Sequence, residues 1–273
     1  MAFTDNCDLF ASVHEDGVNR VIQHIMRQRP SWFNYGTADV AKNPRFWCNQ
    51  PEFTKDVTKY GNPIFTIEPP IPIIGSGSPV VMIGFCAQLT KAAIDFHPGN
   101  KIQLPNELNP PLKPQRFSLT FRVCGGLECP SDEEVQQIPV GTPGQPTFGT
   151  SEQTGANLPP IVLRGKPNCF CLDVFVIGHF ERTPNGYLLG VIEDIDTVDI
   201  TPEKLEDTVN CYLKTAVNVV LRQKLAISLQ ALALSFPLFN IATITLSPTP
   251  NPPVPNNPAV EDDQLKVFVT MTV

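Results

Sequence analysis

Four histidines, eight cysteines and one dense run of carboxylates are the residues of this chain whose types could do chemistry. His14, His24, His97 and His179 form no His-Glu-x-x-His pattern, and no two stand four apart, which removes the usual helical zinc-protease arrangement. Each reads as structural or exposed. Cys124 and Cys129 have four residues between them, Cys169 and Cys171 one, and neither spacing suits the paired knuckle that holds structural zinc. Cys7, Cys48, Cys86 and Cys211 are scattered, so free thiols are expected and no metal site. Glu193, Asp194, Asp196 and Asp199 could attract calcium, but they lack the spacing and central glycine of an EF-hand and read as a solvated acidic surface. Gly75-Ser-Gly-Ser78 runs into Pro79 instead of the lysine and helix start of a phosphate loop, and no Gly-x-Ser-x-Gly elbow occurs. Arg116 and Arg122 beside Phe117 and Phe121 are the residue types of a base-stacking platform, yet alternation buries the aromatics and a wider basic patch is missing. The inventory predicts no enzyme and no cofactor.

The elements that would position such residues are mostly strands. Proline, at 29 of 273 residues, is about twice as frequent as usual and favours extended edges and loops. A formal charge of −7 opposes general attraction to nucleic acid or to an anionic bilayer. No apolar run reaches the 18 residues of a membrane span; 225–244 comes closest and is interrupted by Ser228, Gln230, Ser235, Pro237 and Asn240. The amino terminus has no secretory pattern, so a cytoplasmic location is the default expectation, with release lacking a signal peptide as the variant.

One helix is predicted over Val13–Arg29, with Val18, Val21, Ile22, Ile25 and Met26 as its apolar stripe and Asn19 facing away. The aromatic-rich segment 31–62 has no clean period and reads as a surface wrap. Strands follow at Ile64–Ile67, at Val80–Phe96 (one long strand or a bent hairpin), at Lys101–Leu104 across the His97-Pro98-Gly99-Asn100 turn, and through Phe117, Leu119, Phe121 and Val123. Further strands are expected at Ile161–Leu163, Phe170–Phe180 and Tyr187–Val191, the last two joined by a turn at 183–186. Thr201–Leu225 reads as a long amphipathic helix with Thr201 as N-cap and Pro202 at its first turn. Ile241–Leu246 and Leu265–Val273 are expected to pair across a proline-rich excursion. The chain is thus read as a single domain, 1–273, with long loops at 130–160 and 247–264.

In this order of elements the chain resembles the tubular lipid-binding superfamily, and within it the P47-type branch that accompanies some bacterial toxin clusters. The resemblance is carried by Asp8-Leu9-Phe10-Ala11 and Val18-Asn19-Arg20-Val21-Ile22 at the start, by Thr201–Leu225, and by Ile241-Ala-Thr-Ile-Thr-Leu246 with the terminal strand. It implies an α+β fold in which a long amphipathic helix is wrapped by a curved, mainly antiparallel sheet, with a second helix at the N-terminus. It also implies binding of lipid or another hydrophobic molecule, and no catalytic residues.

The expected function is therefore non-enzymatic binding of a lipid or other hydrophobic ligand in an elongated apolar cavity. Val209, Leu213, Val217 and Leu221 would form the helical wall, opposed by Phe121, Val174 and Val267. The alternative is a structural or interaction module of a toxin-associated or virus-like assembly, with protein partners or self-association. Neither reading involves nucleic acid or stable membrane insertion.

Overall fold

A computed structural model describes residues 6–73, 80–136, 160–182, 187–197, 210–211, 214–215, 227–228, 234–238, 242–249, 254 and 256–272. Along the chain the elements are β1 (Leu9–His14), α1 (Glu15–Gln28), β2 (Asn34–Gly36), α2 (Ala38–Lys42), α3 (Lys55–Lys59), β3 (Thr66–Ile67), β4 (Ile71–Pro72), β5 (Val81–Ile83) and β6 (Phe85–Phe96). They continue as β7 (Arg116–Pro130), α4 (Asp132–Gln136), β8 (Ile161–Leu163), β9 (Gly165–Arg182), β10 (Tyr187–Thr197), β11 (Ile227–Ser228), β12 (Leu234–Leu238), β13 (Ala242–Pro248), β14 (Ala259–Glu261) and β15 (Gln264–Thr272).

Three separate sheets result. One has the order β1-β15-β13-β12 with β14 also on β15, one β11-β10-β9-β7-β6-β2-β3, and one β4-β5-β8. None closes on itself, and the β2–β3 and β5–β8 pairs are parallel. This corrects the expected fold class. Among the described residues there is one substantial helix, the 14-residue α1, and no single curved sheet wrapped around a long helix. The expected helix Thr201–Leu225 lies outside the described residues except for Asn210, Cys211, Lys214 and Thr215, which are helical. Alternation along a strand fixes which face is buried but not which strand pairs with which, and here the partners divide among three sheets.

The chain forms two compact units: 1–22 with 92–121 and 173–273, and 23–91 with 122–172. The division falls within α1, β6, β7 and β9. In the first unit the core is Ile94, Phe96, Phe117 and Val260, against which Val18, Ile22, Leu119, Phe180 and Leu265 pack. Asn19, expected to face solvent, instead turns toward β6: its Nδ2 donates to the Ile94 carbonyl and its Oδ1 accepts from the Ile94 amide, both at 2.8 Å. Lys101–Leu104 forms no return strand, because the amides of Lys101 and Ile102 donate to the Asp95 carboxylate.

In the second unit Val40, Phe65 and Cys86 form the core, with Phe46 and Trp47 packed on it. The aromatic-rich segment therefore contributes to a core. Two disulfides, Cys48–Cys169 and Cys124–Cys171, cross-link this unit and correct the expectation of free thiols at those four positions.

Candidate functional site

The densest convergence of chemistry-bearing groups is in the first unit, where Glu15, Asp95 and Asp263 each place a carboxylate oxygen within 4.8 Å of the others. Three unrelated local devices bring them there. Glu15 and Asp16 occupy the first turn of α1, where the exposed amides and the helix dipole favour negative charge. His14 helps to cap that turn, its Nδ1 accepting from the Asp16 amide at 3.1 Å. Asp95 stands near the end of β6. Asp263 belongs to the two-residue hairpin Asp262-Asp263 between β14 and β15, both residues having positive φ, as a type I′ turn requires.

Backbone groups then fix the carboxylates. The Phe96 amide donates to Glu15 Oε2 at 2.7 Å. Those of Lys101 and Ile102 donate to Asp95 Oδ2 at 2.8 and 2.6 Å. Asn100 Nδ2 donates to Asp263 Oδ2 at 2.9 Å, and the Glu15 amide donates to the Asp263 carbonyl at 3.0 Å. The second oxygen of each carboxylate, Glu15 Oε1, Asp95 Oδ1 and Asp263 Oδ1, is buried without a hydrogen bond. Lys101 Nζ lies 3.1 Å from Glu15 Oε1 as an ion pair without hydrogen-bond geometry, and also pairs with the exposed Asp16. Glu15 and Asp95 are fully buried. Burial pushes the Glu15 carboxyl above its ordinary value, aided by the neighbouring Asp95 and opposed by the Phe96 amide and Lys101. A buried acceptor left unpaired costs about 1–3 kcal/mol, and more when charged, so Asp95 Oδ1 and Asp263 Oδ1, beside the Glu15–Lys101 ion pair, form a strongly polarised spot.

A second constellation is built by a β-bulge. On β10, Ile192 pairs with Gly178 and Asp194 with Ile177, leaving Glu193 as the extra residue. The bulge re-aims Glu193, whose Oε2 lies 2.7 Å from Arg116 Nε and whose Oε1 lies 2.7 Å from His179 Nδ1. Two small clefts of about 230 and 200 Å³ share Arg116 as a lining residue, the first also lined by His179, Phe180 and Asn257, the second by Leu112, Lys113 and Glu193. Both are smaller than usual ligand pockets, and neither lining contains Ser, Thr or Cys. The His179 Nδ1–Glu193 Oε1 contact lacks hydrogen-bond geometry, so no hydrogen-bonded base and hydroxyl or thiol pair is formed there. The acidic run is thus divided: Glu193 is held by Arg116 and His179, Asp194 pairs with Lys214 at 3.6 Å, and Asp196 is buried.

Of the residues expected to line an apolar cavity, Val209, Leu213, Val217 and Leu221 lie outside the described residues. Val174 is fully buried and Phe121 partly buried. Period two puts Val174 on the face of β9 that carries Phe180, and Phe121 on the face of β7 that carries Phe117. Those two rings meet at 4.9 Å in the core. Val267 belongs to a different sheet. There Leu9, Ala11 and Val13 of β1 stand opposite Val269, Val267 and Leu265 of β15, while Pro248 and Leu246 of β13 stand opposite Val269 and Met271. Directly opposed residues project to the same side, so nine apolar side chains share one face. Leu265 is packed into the core, whereas Leu9, Val13 and Met271 are 45%, 50% and 45% exposed.

Sequence reading missed the Glu15–Asp95–Asp263 cluster, although each member carried a local signal: a helix start, a lone carboxylate between Ile94 and Phe96, and a two-residue turn between apolar runs. Comparison with family models, curated proteins and solved structures finds no match to this chain.

Proposed function

We propose that the chain binds an acyl chain or similar hydrophobic ligand along the β1-β15-β13 face. The observation that carries this reading is the in-register apolar face running from the packed Leu265 to the exposed Met271. From Leu265 to Met271 a strand rise of about 3.4 Å per residue gives a length on the order of 20 Å, the scale of a long acyl chain. The nine side chains are aliphatic, proline or methionine. They include none of the tyrosine, tryptophan or arginine anchors enriched at protein interfaces, which favours a flexible hydrocarbon over a protein partner. Covering roughly 300 Å² of such surface would supply about 7 kcal/mol before ordering costs. Binding of this kind needs no catalytic group. No helix among the described residues is long and apolar enough to cross a membrane.

The test is titration of the full chain with a fluorescent C18 fatty acid. Saturable binding is expected, weakened at least tenfold by Leu9→Asp or Met271→Asp at exposed positions of the face. Ser12→Asp, on the opposite side of β1, is expected to leave it unchanged. Absence of saturable binding, or equal affinity in all three variants, would overturn the proposal. Light scattering showing dimers that dissociate in Met271→Asp would reassign the face to self-association.

A further inference from the structure

We propose that Glu15, Asp95 and Asp263 form a binding site for a calcium-sized divalent cation. The donor set is all oxygen, the preference of hard cations, and contains no imidazole or thiolate to recruit zinc or copper. Each carboxylate has one oxygen committed to a protein donor and one buried oxygen with no hydrogen bond. Protein donors thus hold the three side chains in place while Asp95 Oδ1 and Asp263 Oδ1 stay available and Glu15 Oε1 faces Lys101, which a bound cation would have to displace; this is the arrangement that second-shell contacts give to metal ligands.

Charge points the same way. Glu15, Asp95 and Asp263 are accompanied by one ammonium, Lys101, which also serves Asp16. One ammonium thus serves several carboxylates, and a divalent cation would supply the positive charge that the site lacks. Complete burial of Glu15 and Asp95 leaves little room for a retained hydration shell. Calcium sheds water readily and accepts irregular geometry, whereas magnesium holds its waters and demands an octahedron.

The other buried glutamate, Glu128, does not form such a site. Its neighbouring carboxylate, Asp39, is partly exposed and pairs with Arg164 at 3.3 Å.

The test uses the full chain after chelator treatment. Calorimetric titration with calcium is expected to show one saturable site per chain, and Tm should rise with the logarithm of free calcium. Magnesium should bind at least tenfold more weakly. Asp95→Asn and Asp263→Asn should each weaken calcium binding at least tenfold while retaining an acceptor for the surrounding amides. Asp263→Asn, at the partly exposed turn, guards against misfolding of the buried variant. Asp194→Asn, at a separate carboxylate, should have no effect. Absence of calcium binding to the folded wild type overturns the proposal. So does unchanged affinity in Asp263→Asn, and equal magnesium affinity overturns the assignment to a calcium-sized ion.

Discussion

Glu15 and Glu128 are both buried glutamates whose carboxyls burial pushes upward, yet their surroundings are built differently. Around Glu15 two more carboxylates converge from a strand end and a hairpin turn, and a lysine leans on the cluster. Glu128 sits on β7 in a cradle of backbone. The amides of Gly165 and Gly84 donate to it and oppose its upward shift, while the charge of Asp39 adds to that shift. A Cβ at Gly84 would meet the Glu128 carboxylate and the Thr37 hydroxyl, so a larger residue there requires those side chains to shift. The Glu15 site is held by ionic and hydrogen-bonding groups, whereas the Glu128 cradle lies between strands that Cys124–Cys171 ties together covalently. The difference teaches which buried acid suits which task. Burial raises both glutamates, but three carboxylates that converge on one lysine lack further cationic partners among the described residues, whereas Glu128 has backbone amides, Asp39 and Arg164 around it.

The largest effect that would break this contrast is reduction of the disulfides. Cys48–Cys169 closes a loop of 121 residues and Cys124–Cys171 one of 47, and loops of that size correspond to roughly 4–5 kcal/mol each in the chain-entropy model. Reductant is therefore expected to lower the denaturant midpoint strongly. Mass spectrometry after alkylation of the denatured, unreduced chain should find Cys48, Cys124, Cys169 and Cys171 unmodified. A chain alkylated at all eight cysteines would remove the covalent half of the comparison. A smaller loss, about 1–3 kcal/mol, is expected from Gly165→Ala, because the added methyl would collide with the Cys129 carbonyl across the cradle. Equilibrium unfolding measures it, and a change within error would mean that the strands there can part at little cost.

How much of this was legible in the sequence depends on range. The alternation through Phe117, Leu119 and Phe121, the Leu265–Met271 strand and the stripe of α1 are local patterns, and the structure bears out the elements there, although the helix starts at Glu15 and the expected first residue, Val13, belongs to strand β1. The pairing of Ile241–Leu246 with the terminal strand was also legible, as β13 on β15. Sheet membership was not, because period-two patterning is the same for any partner. Neither was the acid cluster, whose members are separated by 80 and 168 residues in the numbering and meet only once a helix start, a strand end and a hairpin have been folded together. Glu193 reads as one more acid in a run, because only the register shift of β10 on β9 turns it toward Arg116 and His179. The cysteines misled for a related reason: close spacing in sequence was weighed against zinc, while the actual partners came from distant segments.

The smallest effect tests the protonation half of the contrast. Glu128 is raised above its ordinary carboxylate value of 4.5, first by burial, then by Asp39, with the Gly165 and Gly84 amides and Arg164 pulling the other way. A group whose folded pKa exceeds its unfolded one binds its proton more tightly when folded, so protonation favours folding. Its contribution is fully present below the unfolded value and is lost as pH rises through the raised folded value. Glu128→Gln keeps the shape and removes the titration. The difference in unfolding free energy between variant and wild type should therefore grow in favour of the variant as pH rises across that window, and level off above it. Urea unfolding at a series of pH values reads this difference directly, with the acids common to both proteins cancelling. A constant difference across the whole range would mean that the folded and unfolded pKa values coincide, the amides of Gly84 and Gly165 just offsetting burial, and a difference that moves in favour of wild type as pH rises would mean that those amides outweigh it.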